Sequence, residues 1–261
     1  MHCLVLFSCV LSLVFVSVLS SPRGRAAQYT AELVSCYRVK QIDLATCLKT
    51  FLVSQRETLR NGIRELDIPP LEPAKFPHVN LVDNGGWEGN FTNILVSGIT
   101  TGFTYDSFNL STDLVKGYLS LTIEFPSLFI EGNYGMTTYF LQQIIPMIPK
   151  SLAPKSIGVF STNLHRVTAL GSGTIRPRYD ILEVKNLDID FDYHDDSSIE
   201  LVATAGSQVL TTILNAVLND DETGRAIIDE LKPELRAHLS QLVEGMLNNA
   251  LKNIPLHEFR P

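Results

Sequence analysis

No run of lysine and arginine occurs anywhere in the chain. Its 21 basic residues are scattered among 28 acidic ones, for a formal net charge of -7 over 261 residues. A polyanion would find no counterion-releasing stripe, so nucleic acid is excluded as a partner. The signatures of common chemistries are missing too. There is no G-x-S-x-G elbow, H-E-x-x-H zinc helix, C-x-x-C pair or phosphate-cradling glycine loop. His78, His165, His194, His238 and His257 are dispersed without an i,i+4 pair, which argues against metal ligation. No catalytic residue, metal or cofactor is expected. Glycine and proline follow no period, which rules out collagen-like and low-complexity chains, and the 45% hydrophobic content rules out disorder.

Long uncharged apolar runs are confined to the first residues. From Cys3 to Leu19 only Ser8, Ser12 and Ser17 interrupt the apolar sequence, and Val18-Leu19-Ser20 offers small residues to a signal peptidase. The pattern predicts a signal peptide over 1–20 and a secreted mature chain over 21–261. The competing reading is a retained anchor, because a basic n-region is missing and Arg23 and Arg25 follow the stretch. No later stretch of that length lacks charge, so stable membrane insertion is not expected of the mature protein. Cleavage removes Cys3 and Cys9 and leaves Cys36 and Cys47, which in an oxidising compartment are expected to form one disulfide rather than two free buried thiols. Eleven helical residues would hold them roughly 16 Å apart, whereas a disulfide needs about 7 Å or less, so the chain must fold back between them. Asn90-Phe91-Thr92 and Asn109-Leu110-Ser111 are glycosylation sequons, placing Asn90 and Asn109 on the expected surface.

Periodicity gives the architecture. A helix is predicted over 43–61, capped by Asp43, with Leu44, Cys47, Leu48, Phe51, Leu52, Gln55 and Leu59 on one stripe and Gly62 after the last turn. Ile68-Pro69-Pro70-Leu71-Glu72-Pro73 then forbids helix. Strands follow. Leu119, Leu121, Ile123 and Phe125 alternate with polar residues, as do Leu187, Ile189, Phe191 and Tyr193, and weaker strand signals cover 90–105, 128–140 and 157–170. Alternation without crossover helices indicates an antiparallel, strongly bent sheet. The helical period returns over 209–218 and again from Asp220, where Pro233 either kinks a helix or opens a new one. Leu235, Leu239, Leu242, Val243, Met246, Ala250 and Ile254 form its apolar stripe. The expected class is α+β in a single domain, without internal repeats.

Two features remain. Asp188, Asp190, Asp192, Asp195 and Asp196 open like a calcium loop, but Tyr193 stands where that loop needs glycine and Ile199 where it needs glutamate. The aspartates are therefore read as the solvated face of a strand. Apolar side chains are in excess: a long layered interior that they do not fill leaves a channel able to hold a lipid. The candidate channel residues are Leu48, Phe51, Leu52, Leu59, Trp87, Phe91, Phe103, Tyr105, Phe125, Phe129, Tyr134, Phe140, Phe191 and Met246, with the hydroxyls of Tyr105, Tyr134 and Tyr139 as selectivity groups.

The Cys36 and Cys47 pair, the Gly62-Ile63-Arg64-Glu65-Leu66 to Pro73 segment, Phe125-Pro126-Ser127-Leu128, Gly132-Asn133-Tyr134 and Ile254-Pro255-Leu256 occur in an order that resembles the arthropod takeout and juvenile hormone binding proteins of the tubular lipid-binding superfamily. The resemblance spans roughly residues 30–259. It implies a long N-terminal helix wrapped by a highly curved antiparallel sheet, C-terminal helices and an internal hydrophobic tunnel. It also implies a secreted, monomeric carrier of a small hydrophobic ligand such as a juvenile-hormone-like terpenoid or fatty acid. The single disulfide matches takeout-like members, while the specialised hormone carriers resemble a two-disulfide pattern. Ile144-Ile145-Pro146-Met147-Ile148-Pro149 departs from the family's glycine-punctuated stretch. The alternative is a membrane-surface or lipopolysaccharide-binding defence protein, which the acidic charge balance disfavours on anionic surfaces.

Overall fold

The computed structural model describes residues 28–29, 31–32, 34–36, 44–81, 87–113, 116–139, 147, 149–193 and 198–252. The expected leader, the Asp43 cap, Phe140, His194, Asp195, Asp196, His257, the Ile254-Pro255-Leu256 segment and the Trp87 side chain lie outside the described residues.

A disulfide joins Cys36 to Cys47 with Cα atoms 5.6 Å apart, so the chain doubles back before helix α1, Leu44–Ser54, which carries Cys47. The helix expected over 43–61 is divided at Gln55, and α2 is Arg56–Asn61. At the division the Ser54 hydroxyl donates to the Phe51 carbonyl (2.9 Å), the same acceptor that takes the Gln55 N–H (2.9 Å). Such local side-chain bonding competes with regular helix. Gly62 then turns the chain at φ 78°, and a Cβ there would meet the backbones of Ile68, Pro69 and Pro70 at 2.7–2.8 Å. The tight turn buries Ile63, Leu66, Ile68 and Leu71 under the helices.

Eight antiparallel strands form one sheet: β1 Ala74–Phe76, β2 Val79–Leu81, β3 Trp87–Ser97, β4 Phe108–Asp113, β5 Tyr118–Thr138, β6 Lys155–Arg178, β7 Ile181–Asp192 and β8 Ser198–Gly206. The spine is the β5–β6 pair, continuous from Tyr118↔Thr174 to Thr137↔Lys155. β4 lines the first half of β5 and β3 the second, while β8 lines the first half of β6 and β7 the second. The spine therefore narrows to two strands at its middle. There the buried positions change parity. On β5 they run Leu119, Leu121, Ile123, Phe125 and then Tyr134, Met136, Thr138; on β6 they run from Ser156 to Leu164 on even numbers and then Val167, Ala169. The switch falls at Pro126 and at Arg166, a mid-strand residue in left-handed conformation (φ 48°). Proline contributes no ladder N–H and is tolerated at such an irregularity. β7 makes the same switch at Asn186 (φ 53°), where an extra residue bulges between its partners Ser172 and Thr174 on β6.

The antiparallel sheet and its two clearest strands are as expected. The strand expected over 90–105 ends at Ser97, because Gly98 (φ 95°) turns into a 3-10 helix, Ile99–Gly102. The segments 128–140 and 157–170 are portions of the two long strands.

Helix α3 is Gln208–Leu218, its first turn capped by the Ser207 hydroxyl, which accepts the Leu210 N–H (3.2 Å). Helix α4 is Asp221–Leu251, with Pro233 internal to it. At 31 residues it is the longest described helix, so the rod of this fold is C-terminal. Both helices seal sheet edges. On α4 the side chains of Ser240, Glu244 and Asn248 accept the N–H groups of Ile189 (2.8 Å), Leu187 (2.9 Å) and Val184 (2.8 Å), and the Asn248 amide donates to the Val184 carbonyl (2.9 Å). Toward its other end Glu234 accepts the Asn80 N–H of β2 (2.9 Å). On α3, Asn215 and Asn219 make the same two-way contact with Leu201 and Ile199 of β8, at 2.8–3.0 Å. Because α4 reaches both β7 and β2, it bridges opposite sides of the sheet.

Two of the aspartates of β7, Asp188 and Asp190, are ion-paired to α4, not simply solvated. Arg236 donates to both Asp188 oxygens (2.9 and 3.0 Å) and Lys232 approaches Asp190 at 3.2 Å. Partial burial alone would push the Asp190 carboxyl up. The Lys232 and Phe191 donors, with the Lys232 and Arg236 charges, outweigh it and hold the carboxyl below its ordinary range.

Three outcomes follow from these contacts. Gly62→Ala should destabilise the protein by about 1–3 kcal/mol through backbone strain, read from thermal melting. Asn248→Leu should lower stability by about 1–3 kcal/mol, read from the denaturant midpoint, because it orphans the Val184 N–H and C=O. A folded carboxyl held low contributes stability above its unfolded pKa of about 3.9 and loses it as pH falls through the folded value. The difference in melting temperature between wild type and Asp190→Asn should therefore be present at neutral pH, shrink as pH falls below the unfolded value and be lost once pH has passed the lowered folded value.

Candidate functional site: an internal apolar cavity

The sheet's inner face and α4 do not fill the space between them. A cavity of about 250 Å³ remains, lined by α1, the Ile68–Leu71 turn, strands β1 to β8 and α4. It exceeds the roughly 150 Å³ apolar cavity known to stay dry and admit benzene, and approaches the ~300 Å³ lower end of small-molecule sites.

Two hydrophobic clusters make up its wall. One gathers α1, β4, β7, α4 and the first half of β5 with the second half of β6; the other gathers Val79, Ile94, Val96, Phe160 and Leu218. Ile99 and Ile130 touch both clusters, so the cavity is continuous from one to the other. Each cluster holds an edge-to-face aromatic pair, Phe103 with Phe108 (5.7 Å) and Phe91 with Phe160 (5.1 Å). Thr162 is the single polar residue among the described lining residues, and the exposed wall is wholly apolar. Such a surface has nothing with which to stabilise charge, so its chemistry is the accommodation of uncharged apolar matter.

Of the residues singled out in the sequence, Leu48, Phe51, Leu52, Phe91, Phe103, Phe125, Phe191 and Met246 stand on the cavity wall. Four others are placed elsewhere. Leu59 is fully buried in solid core between α2 and the Ile63 turn. Tyr105 and Phe129 face solvent, 57% and 42% exposed, Phe129 because it lies just beyond the parity switch of β5. Tyr134 is buried, but its hydroxyl belongs to a closed cluster with Ser156 (2.8 Å) and Thr211 (3.5 Å), which themselves bond at 2.6 Å. The Tyr139 hydroxyl is engaged by Glu88 (2.5 Å). None of the three tyrosine hydroxyls reaches the cavity.

Sequence reasoning passed over most of α4's contribution. Leu235, Leu239, Leu242, Val243 and Leu247 all face the cavity. The first four belong to the stripe that the helical period shows, without what it covers, and Leu247 lies outside that stripe. The sequon residues Asn90 and Asn109 are both exposed.

The fold is similar to that of takeout 1 from Epiphyas postvittana, with a TM-score of 0.61 at 15% sequence identity over 82% of this chain and 94% of that one. A lipopolysaccharide binding protein aligns over 77% of this chain and 38% of its own length, at 12% identity and a TM-score of 0.33. No curated protein sequence matches the chain. The family model described as haemolymph juvenile hormone binding protein matches residues 9–261, and the chain belongs to that family.

Proposed function

We propose that the protein is a secreted, non-enzymatic, monomeric carrier that holds one small elongated apolar molecule in its internal cavity. The observation that carries this reading is the continuous apolar space of about 250 Å³ running between the two hydrophobic clusters. Membership of a family named for binding juvenile hormone supports it, and favours a terpenoid or similar lipid as cargo. Affinity would come from buried area. About ten methylenes are worth on the order of 8 kcal/mol before the costs of association.

Export fits the apolar stretch from Cys3 to Leu19, with cleavage after Ser20 leaving residues 21–261 as one domain. The disulfide between Cys36 and Cys47 suits the same compartment. Glycans at the exposed Asn90 and Asn109 would complete the secreted form.

Native mass spectrometry of protein secreted from cultured cells is the test. The expected result is a bound lipid that an apolar fluorescent probe displaces; an empty protein that also ignores the probe would overturn the reading. Leu164→Trp, which places bulk on the cavity wall, should weaken probe binding at least tenfold without lowering the melting temperature, since the added ring extends into the cavity rather than into close-packed core.

A further inference from the structure

Thr162 does not fit its surroundings. It lies on β6, paired with Ile130 of β5 and Ile199 of β8, and it is 9% exposed. Its Oγ1 is buried and has no hydrogen-bond partner. Two residues to either side, on the same face, stand Phe160 of one hydrophobic cluster and Leu164 of the other. The residue opposite, Ile130, touches both clusters. Thr162 thus sits at the junction, partway along the cavity.

A buried hydroxyl without a partner costs free energy that valine, of the same shape and equal strand preference, would not incur. Native proteins carry few such groups, and each calls for a cause. Water does not supply one here, because an ordered water needs two to four polar partners and the described wall offers this residue alone. The exposed wall of the cavity is apolar, so the threonine shows its methyl and withdraws its hydroxyl. One step of χ1 between staggered wells exchanges the two.

We propose that Thr162 is the polar anchor for the ligand: on entry of the cargo its hydroxyl turns into the bore and bonds an uncharged oxygen in the middle of an elongated apolar molecule. The inference rests on the carrier reading and narrows it. The wall holds no cation, so an ionised carboxylate would be buried without compensation. The favoured cargo is therefore a neutral ester, ketone, ether or alcohol whose oxygen stands away from the chain ends, with an apolar arm in each cluster.

The experiment uses the intact secreted protein and displacement of an apolar fluorescent probe by four ligands of about ten carbons, a length scaled to burying roughly ten methylenes. They are a mid-chain ketone, its terminal methyl ketone isomer, the parent alkane and the fatty acid at neutral pH. Wild type should bind the mid-chain ketone roughly fivefold to tenfold more tightly than the alkane, the worth of one net hydrogen bond, with the terminal isomer intermediate and the acid weakest. Thr162→Val should erase that preference while leaving alkane binding unchanged or stronger, and should raise the melting temperature of the empty protein. Thr162→Ser should keep the preference. Equal binding of ketone and alkane by wild type, or a preference that survives Thr162→Val, would overturn the assignment and leave the carrier reading standing. Failure of all four ligands to displace the probe would remove the carrier reading and this assignment with it.

Discussion

The structure depends on how its sheet edges are satisfied. An eight-stranded sheet that is not closed on itself has edges whose N–H and C=O groups must find partners, or they cost stability and invite aggregation. Here the side chains of α4 and α3 serve as the missing strands. Asn215, Asn219 and Asn248 each present an amide that both donates and accepts, which is what a strand residue offers its neighbour. The helix α4 also reaches β2 through Glu234, so one element satisfies β7 and braces the far side of the sheet. The interior exists because of that brace.

A sheet held this way need not be filled. Helix and sheet surfaces differ in curvature, and the inward side chains of α4 stop short of those from β5 and β6, leaving the apolar cavity. The parity switches are part of the same design. At Pro126, Arg166 and Asn186 the strands rotate by one residue, so that apolar side chains continue to face inward while the ribbon changes direction. Without these irregularities a strand of 21 or 24 residues would present a fixed face to a turning interior.

Much of this was legible in the sequence, and the residues that were not share a physical reason. Alternation reveals a strand where one face is wet, as it does at Leu119 to Phe125 and Leu187 to Phe191. It misleads across a parity switch, which is why Phe129 reads as inward and is exposed, and why the long strands appeared as separate short ones. Strands β1, β2, β4 and β8 are short or weakly patterned, and their place is set by partners distant in sequence. Helical periods gave the stripe of α4, but the edge-sealing role of Asn248 is invisible in any window of the helix alone. The same holds for Tyr134, whose hydroxyl meets Ser156 and Thr211 from other elements. Thr162 carried no sequence signal: one threonine in an alternating strand is unremarked until its neighbours are known.

The seam between α4 and β7 also behaves like a vernier. Four helical residues advance about 6.0 Å while two extended residues advance about 6.8 Å, so each successive tooth falls about 0.8 Å behind. From Ser240 to Glu244 the strand advances two residues, Ile189 to Leu187, but from Glu244 to Asn248 it advances three, Leu187 to Val184, because the extra residue of the bulge at Asn186 lies between. The two scales cannot stay aligned along a 31-residue rod, so meshing is confined to one stretch.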